Sequence, residues 1–359
     1  QRELIPVPNT VTLADAEVTL AEHLGAAGYS SAHLGKWHLG PDPTTQGYDF
    51  NVAGNQAGHP RSYFSPYKNA DLEDGPEGEY LTTRLTDEAI ELVGKMEAPF
   101  LMHLAYYSVH TPLQAPPERV AERRAAGVKS AKYAAMVEAL DHEVGRLLAA
   151  LAEAGLAEDT VVIFTSDNGG HMPVTNQDIL RGYKGTLDEG GIRVPWIVRW
   201  PGHINPGVDH APVHHVDLLP TLLTLAGAEQ RGSAELDGVD LTGLLTSRIA
   251  PSPRPLFWHF PCYLQGKSDR FEHFRTTPGG ALRAGRWKLV EFFHPGTTAA
   301  PRLELYDLEA DPLERADLAA AQPQRAAAMY ADLMRWRKDV KAPVPSEPEP
   351  RFAGAPDGS

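Results

Sequence analysis

The sequence has one cysteine, Cys262, in 359 residues. That excludes an intrachain disulfide framework, and within "FPCYL" the residue reads as a small buried apolar side chain. Basic residues are outnumbered: 33 Lys+Arg stand against 47 Asp+Glu, a formal net charge of −14. This balance excludes a general nucleic-acid or anionic-membrane surface, so any anion the protein handles must meet a local cationic pocket. No apolar run approaches the ~18 residues of a membrane span. A secretory leader is also missing, and the opening "QRELIPVPNTVTLADAEV" has no Met start, so it reads as a chain entered midway. What is present is a hydrophobic fraction of 42%, enough for a packed core.

Residues 11–28 read as a helix leading into a strand, with Val18, Leu20 and Leu24 at near-helical spacing and a glycine stop. Residues 41–80 are rich in Gly, Pro, Asn and Asp with interspersed aromatics, a long irregular loop of the kind that carries function. Then follow an amphipathic helix ("LTTRLTDEAIELVGKM"), an apolar strand ("PFLMHLAYYSVHTP") and a long helix ("YAAMVEALDHEVGRLLAALAEAGL"). After these come a strand running into a glycine turn ("TVVIFTSDNGG"), another strand ("VPWIVRWPG") and another helix ("HHVDLLPTLLTLAGA"). Such alternation predicts an α/β fold with a mostly parallel sheet flanked by helices. From about Pro255, "ALRAGRWKLVEFF" and "PRLELYDLEADPLERADLA" predict a small antiparallel sheet, closed by the helix "PQRAAAMYADLMRWRKDV". The expected domains are therefore an α/β domain at 1–250, a smaller α+β subdomain at 251–341 and a Pro-rich flexible tail at 342–359.

Candidate chemistry sits at the ends of the strands. Asp167 and Asn168 follow "VVIF" and offer hard oxygens suited to Ca²⁺ or Mg²⁺, though "DNGG" is equally good turn chemistry. His110 ends an apolar strand before Pro112, where a packed or capping histidine also fits. Lys184 in "RGYKGTLDEGGIRVP" and the Lys36–His38 pair in "GYSSAHLGKWHLG" fit, singly, ordinary loop positions. Open α/β sheets bind ligands beyond the carboxyl ends of their strands, which is where these residues fall.

The four segments "GYSSAHLGKWHLG", "YYSVHTPLQAP", "TVVIFTSDNGG" and "RGYKGTLDEGGIRVPWIVRWPG", in this order, resemble the signature segments of the sulfatase family. "GRWKLVEFF" and "LELYDLEADPLERADL" resemble its C-terminal subdomain. "SYFSPY", "DGPEGEYLTTRLTDEAI" and "FWHFPCY" look like bacterial arylsulfatase-type enzymes that act on sulfated sugars. The resemblance implies an alkaline-phosphatase-like fold and hydrolysis of a sulfate ester of a carbohydrate or aryl alcohol. It implies Asp167 and Asn168 as late calcium ligands (Mg²⁺ being the lesser choice) and Lys36 and Lys184 as contacts to the sulfate oxygens. His38 is implied to hydrogen-bond the nucleophile, and His110 to protonate the leaving alcohol. Arg193 matches a family position and is expected to hold the loop carrying Lys184. His259 could face the substrate. A periplasmic or secreted location and a formylglycine-generating maturation system are implied as well.

The family's nucleophile is a formylglycine made from the first residue of a C/S-x-P-S-R motif, and none of the 359 residues supplies it. Cys262 is followed by Tyr-Leu-Gln-Gly, and "APSPR" at 250–254 has Ala250 at the nucleophile position. No segment before Gly28 resembles the strand that carries the family's early calcium-binding aspartates. The expectation is the C-terminal majority of a sulfatase, inactive as it stands. The alternatives are a sulfatase relative that binds sulfated glycans without cleaving them and a phosphatase or phosphodiesterase of the same fold.

Overall fold

The computed structural model describes residues 2–172, 174–175, 179–266, 273–293 and 301–350. Its elements begin α1 (Leu20–Ala26), β1 (Ser30–Gly35), β2 (Phe50–Val52), α2 (Leu81–Lys95), β3 (Phe100–Ala105), α3 (Pro117–Ala125), α4 (Ala131–Glu153) and β4 (Val162–Thr165). They continue with α5 (Glu189–Ile192), β5 (Trp196–Arg199), α6 (Leu218–Ala226), α7 (Thr242–Ser247), β6 (Leu256–Phe260), β7 (Leu264–Gln265) and β8 (Phe274–Thr276). Last come β9 (Gly279–Ala284), β10 (Trp287–Phe292), β11 (Arg302–Asp307) and α8 (Pro323–Asp339). The chain forms two compact units, one of residues 10–163 and 198–251, the other of the described residues among 1–9, 164–197 and 252–359. It passes from one to the other after residue 9, within β4, within β5 and after residue 251, and β4 and β5 pair as a two-stranded sheet.

The first unit is α/β. Its sheet has the order β2-β1-β3, with β1 parallel to both neighbours. Helix α1 is shorter than the periodicity over 11–28 predicts, because a reciprocal cap fixes its start. Thr19 Oγ1 accepts the Glu22 N–H at 3.2 Å, and Glu22 Oε2 accepts the Thr19 N–H at 2.7 Å. β1 ends at Gly35, whose φ of +93° and position against Ala105 leave no room for a side chain: a Cβ there would lie 2.1 Å from the Ala105 carbonyl oxygen. Helix α2 buries Leu81, Leu85, Ala89 and Val93, a stripe at helical spacing. Leu81 and Leu85 join Ala135 and Met136 of α4 in one core cluster, completed by Tyr63, Tyr67, Tyr80 and Tyr107. Full burial of a side chain such as Leu85 contributes about 1.5–3 kcal/mol. The 41–80 segment, expected as an irregular loop, is thus a structural wall that inserts its tyrosines into the core.

The second unit contains the antiparallel sheet, in the order β11-β10-β9-β6. β9 and β10 form a hairpin that turns at Gly285, where φ is +58°. Helix α8 lays Ala326, Met329 and Leu333 on Leu282, Leu289 and Leu305. It also stacks Trp336 on Phe257 at 4.8 Å and pairs buried Arg337 with Glu291. β7 and β8 make a separate antiparallel pair. In the Pro-rich stretch, Ile5 N–H donates to Glu347 O at 2.8 Å, and Glu349 N–H to Glu3 O at 3.0 Å. Residues 351–359 lie outside the described residues. Cys262 is half-buried, with its thiol 3.2 Å from Asn9 Oδ1. Among the described residues no helix is long and apolar enough to cross a membrane.

Candidate functional site

In the first unit, Lys36, His38 and His110 all follow the carboxyl ends of parallel strands. Lys36 comes directly after β1, where its N–H donates to Ala105 O at the end of β3 at 2.8 Å. Trp37, between Lys36 and His38, is buried against His33 (5.1 Å between centroids) and Tyr48 (5.9 Å). That anchor fixes the turn in "GKWHLG". His38 takes φ +61°, in the left-handed region, while its N–H donates to Asn55 O at 2.9 Å. Its ring packs against Gly58, where a Cβ would come within 2.5 Å of His38 Cε1.

His110 is held from behind by a residue the sequence did not single out. The fully buried Tyr63 hydroxyl donates to the carbonyls of Tyr107 at 2.6 Å and His110 at 3.0 Å. Burial, first of all, pushes this phenol's pKa well above its ordinary value, so it stays a donor. His110 Nδ1 lies 3.0 Å from Thr111 O. The Thr111 hydroxyl lies 3.3 Å from the same nitrogen, so Thr111 holds the ring from both its carbonyl and its side chain. The exposed His59 ring stacks on His110 at 6.0 Å and 22°. Thus the loop 55–59 touches both histidines. The sequence signal for it was the aromatic-rich, Gly-rich texture of 41–80, which names no single residue.

In the second unit, Asp167 and Asn168 come two residues beyond β4. The Ser166 hydroxyl donates to Asn168 O at 2.9 Å. Two backbone bonds staple the Lys184 loop to this turn: Gly169 N–H donates to Gly191 O and Lys184 N–H to Gly170 O, each at 2.9 Å. The approach is close enough that a Cβ on Gly169 would sit 1.8 Å from Gly190 O. His171, near the same turn, has its pKa lowered by burial, then by the charges of Arg275 and Lys184. Arg193 donates its N–H to Glu189 O at 2.7 Å, but its guanidinium is largely exposed and only 4.0 Å from Glu189 Oε2. His259, on β6, donates from Nε2 to Pro343 O at 2.9 Å and packs on Phe293. Burial, mainly, lowers its pKa. Among the described residues no group of three or more His, Cys, Asp or Glu could hold a metal ion. Asp167 and Asn168 by themselves fall short of the ~6–8 oxygens that Ca²⁺ takes.

The fold is that of the alkaline-phosphatase-like class. Within it, the chain belongs to the sulfatase family, sulfuric ester hydrolases, whose profile matches residues 3–228. Residues 183–339 also match "N-sulphoglucosamine sulphohydrolase, C-terminal". A sulfatase of Formosa agariphila is 30% identical over 91% of this chain and 71% of that protein. Human arylsulfatase A is 32% identical over 84% of this chain and 67% of that protein. Among solved structures, Ps i-CgsB in complex with k-i-k-neocarrahexaose superposes with a TM-score of 0.77 at 27% identity, covering 94% of this chain and 78% of that one.

Proposed function

We propose that the chain supplies sulfuryl-transfer residues to an enzyme that removes sulfate from a sulfated carbohydrate or an aryl ester. Lys36 and Lys184 hold the non-bridging oxygens of the sulfate. Cleavage gathers negative charge there, and fixed ammonium groups stabilise charge most where it develops. His38, held by Asn55 and Gly58, hydrogen-bonds the attacking hydroxyl. His110, in its protonated form, delivers a proton to the departing oxygen, with its ring oriented by Thr111. Arg193 and the backbone staples of 169–191 shape the loop around Lys184. His259 is engaged with Pro343 and supports that edge of the second unit.

A local set of cations works against a net charge of −14 because distant charges are screened over ~10 Å. Asp167 and Asn168 would contribute oxygens to a Ca²⁺ shell that no group of three or more His, Cys, Asp or Glu completes among the described residues. That cation would add charge stabilisation at the sulfuryl oxygens. No residue of the sequence matches the formylglycine motif, and this reading takes the nucleophile from a formylglycine-bearing segment matured by a formylglycine-generating system.

The single observation that carries this reading is the strand-end setting of His110, pinned by Tyr63 and oriented by Thr111. The carbohydrate reading is supported by relatives such as the Sus scrofa N-acetylgalactosamine-6-sulfatase, 32% identical over 69% of this chain and 52% of that protein. The test is leaving-group dependence in a formylglycine-bearing form of the chain. His110→Ala should slow a sugar sulfate, with its basic alkoxide, far more than an activated aryl sulfate, since acid catalysis is worth roughly 10²–10⁴-fold where the leaving group needs it. Equal losses on both esters would remove His110 from the proton-donor role.

A further inference from the structure

Lys288 is the one lysine among the fully buried side chains of the described residues, and it lies on β10, a strand hydrogen-bonded on both sides. Its ammonium group sits 3.1 Å from Glu189 Oε1 and 2.9 Å from Glu314 Oε1, all three residues being buried. Glu189 is the first residue of α5, and its other oxygen faces Arg283 at 3.7 Å. Glu314 grips the Lys184 loop twice. Its carbonyl accepts from Arg181 Nη1 at 2.6 Å, and its carboxylate accepts the Glu189 N–H at 2.7 Å. Those two attachments bracket Lys184 on either side. Glu314 does this from φ +52°, a region that a non-glycine residue seldom occupies and that surrounding contacts must enforce.

A buried ion network of this kind is a poor device for stability alone, because well-packed apolar residues serve that purpose as well or better. What it provides is one fixed geometry. We propose that Lys288 is a positioning residue: through Glu189 and Glu314 it locks the 181–193 loop, and with it the two backbone bonds that set Lys184 and the Asp167–Asn168 turn. The proposal rests on the sulfuryl-contact reading of Lys184 for its catalytic meaning, but the lock itself does not.

The hairpin segment "GRWKLVEFF" carries no local signal for it. The first line of force runs from the rigid centre of the antiparallel sheet to Lys288. It continues to Glu189 and α5, and ends at Gly191 O, which accepts from Gly169 directly after Asp167 and Asn168.

The experiment is amide hydrogen exchange on the 359-residue chain. Lys288→Met should speed exchange roughly tenfold or more in 169–170 and 181–193, beyond any change elsewhere in the same unit. Lys288→Arg, which keeps the charge, should restore protection. Leu289→Ala is the control: a fully buried neighbour whose loss loosens the sheet generally. If Lys288→Met does not fold, the double variant Lys288→Met/Glu314→Gln removes one buried charge of each sign and should show the same local loosening. A Lys288 pattern indistinguishable from that of Leu289→Ala, or no change in the loop, would overturn the lock. In a formylglycine-bearing form, Lys288→Met should lower kcat on an aryl sulfate with KM retained, and Lys288→Arg should recover it. Undiminished kcat in Lys184→Ala, with the exchange pattern as expected, would instead sink the sulfuryl reading and leave the lock standing.

Discussion

His33 should make the first unit acid-sensitive, and replacing it should remove a measurable part of that sensitivity. Its ring is fully buried among Trp37, Tyr48 and His103. Burial first, and the neighbouring His103 second, push its pKa down from 6.5 to about 3. Below the unfolded value the unfolded chain takes up a proton that the folded chain refuses. Stability from this residue is therefore complete above about pH 6.5 and drains away as the pH falls toward 3. At 1.36 kcal/mol per pK unit, the 1.5 units between 6.5 and pH 5 amount to about 2 kcal/mol. His33→Phe keeps a planar ring in the cluster and cannot protonate. Urea unfolding at pH 7.5 and pH 5.0 should show a stability drop smaller by about 2 kcal/mol in the variant. His23, whose pKa burial also lowers, titrates in both proteins and cancels in the difference. An unchanged pH dependence in His33→Phe would refute the reasoning.

Tyr63→Phe removes the phenolic donor to the Tyr107 and His110 carbonyls, the former keeping the His110 N–H, so it should cost about 0.5–1.5 kcal/mol in urea unfolding and lower kcat in a formylglycine-bearing form by loosening His110. A loss of stability with kcat untouched would separate Tyr63 from the His110 turn. Titration of the 359-residue chain with Ca²⁺ should give no calorimetric signal and no shift in melting temperature, because two oxygen ligands do not make a calcium site. Tight stoichiometric binding would reveal ligands outside Asp167 and Asn168.

Much of the architecture was legible because it depends on local rules. The helical stripe Leu81, Leu85, Ala89 of α2 and the apolar runs of β3, β4 and β5 announce themselves by period and composition. The β9–β10 hairpin does so by alternation around Gly285. Helix α3 did not, since Val120 is its only buried residue and a polar helix leaves little periodic signal. Nor did the role of 41–80. Tyrosines spaced among Gly and Pro look like surface, and nothing local states that Tyr63 and Tyr67 will be buried with Leu81 and Leu85. At the site, the strand-end positions of Lys36, His110 and Asp167 follow from pattern. The supporting contacts do not, because Tyr63 to His110 and Lys288 to Glu189 join residues far apart in the chain. A buried lysine and an exposed one are the same letter.

The most direct test of the account is sulfate release from an aryl sulfate by three proteins: the bare 359-residue chain, the same residues fused behind a segment bearing a formylglycine, and that fusion carrying Lys184→Ala. The account predicts no release from the first and turnover from the second. It predicts a loss of about 10²–10³-fold in kcat for the third, the size expected for one missing oxyanion contact. Release by the bare chain, or a fusion indifferent to Lys184→Ala, would contradict it.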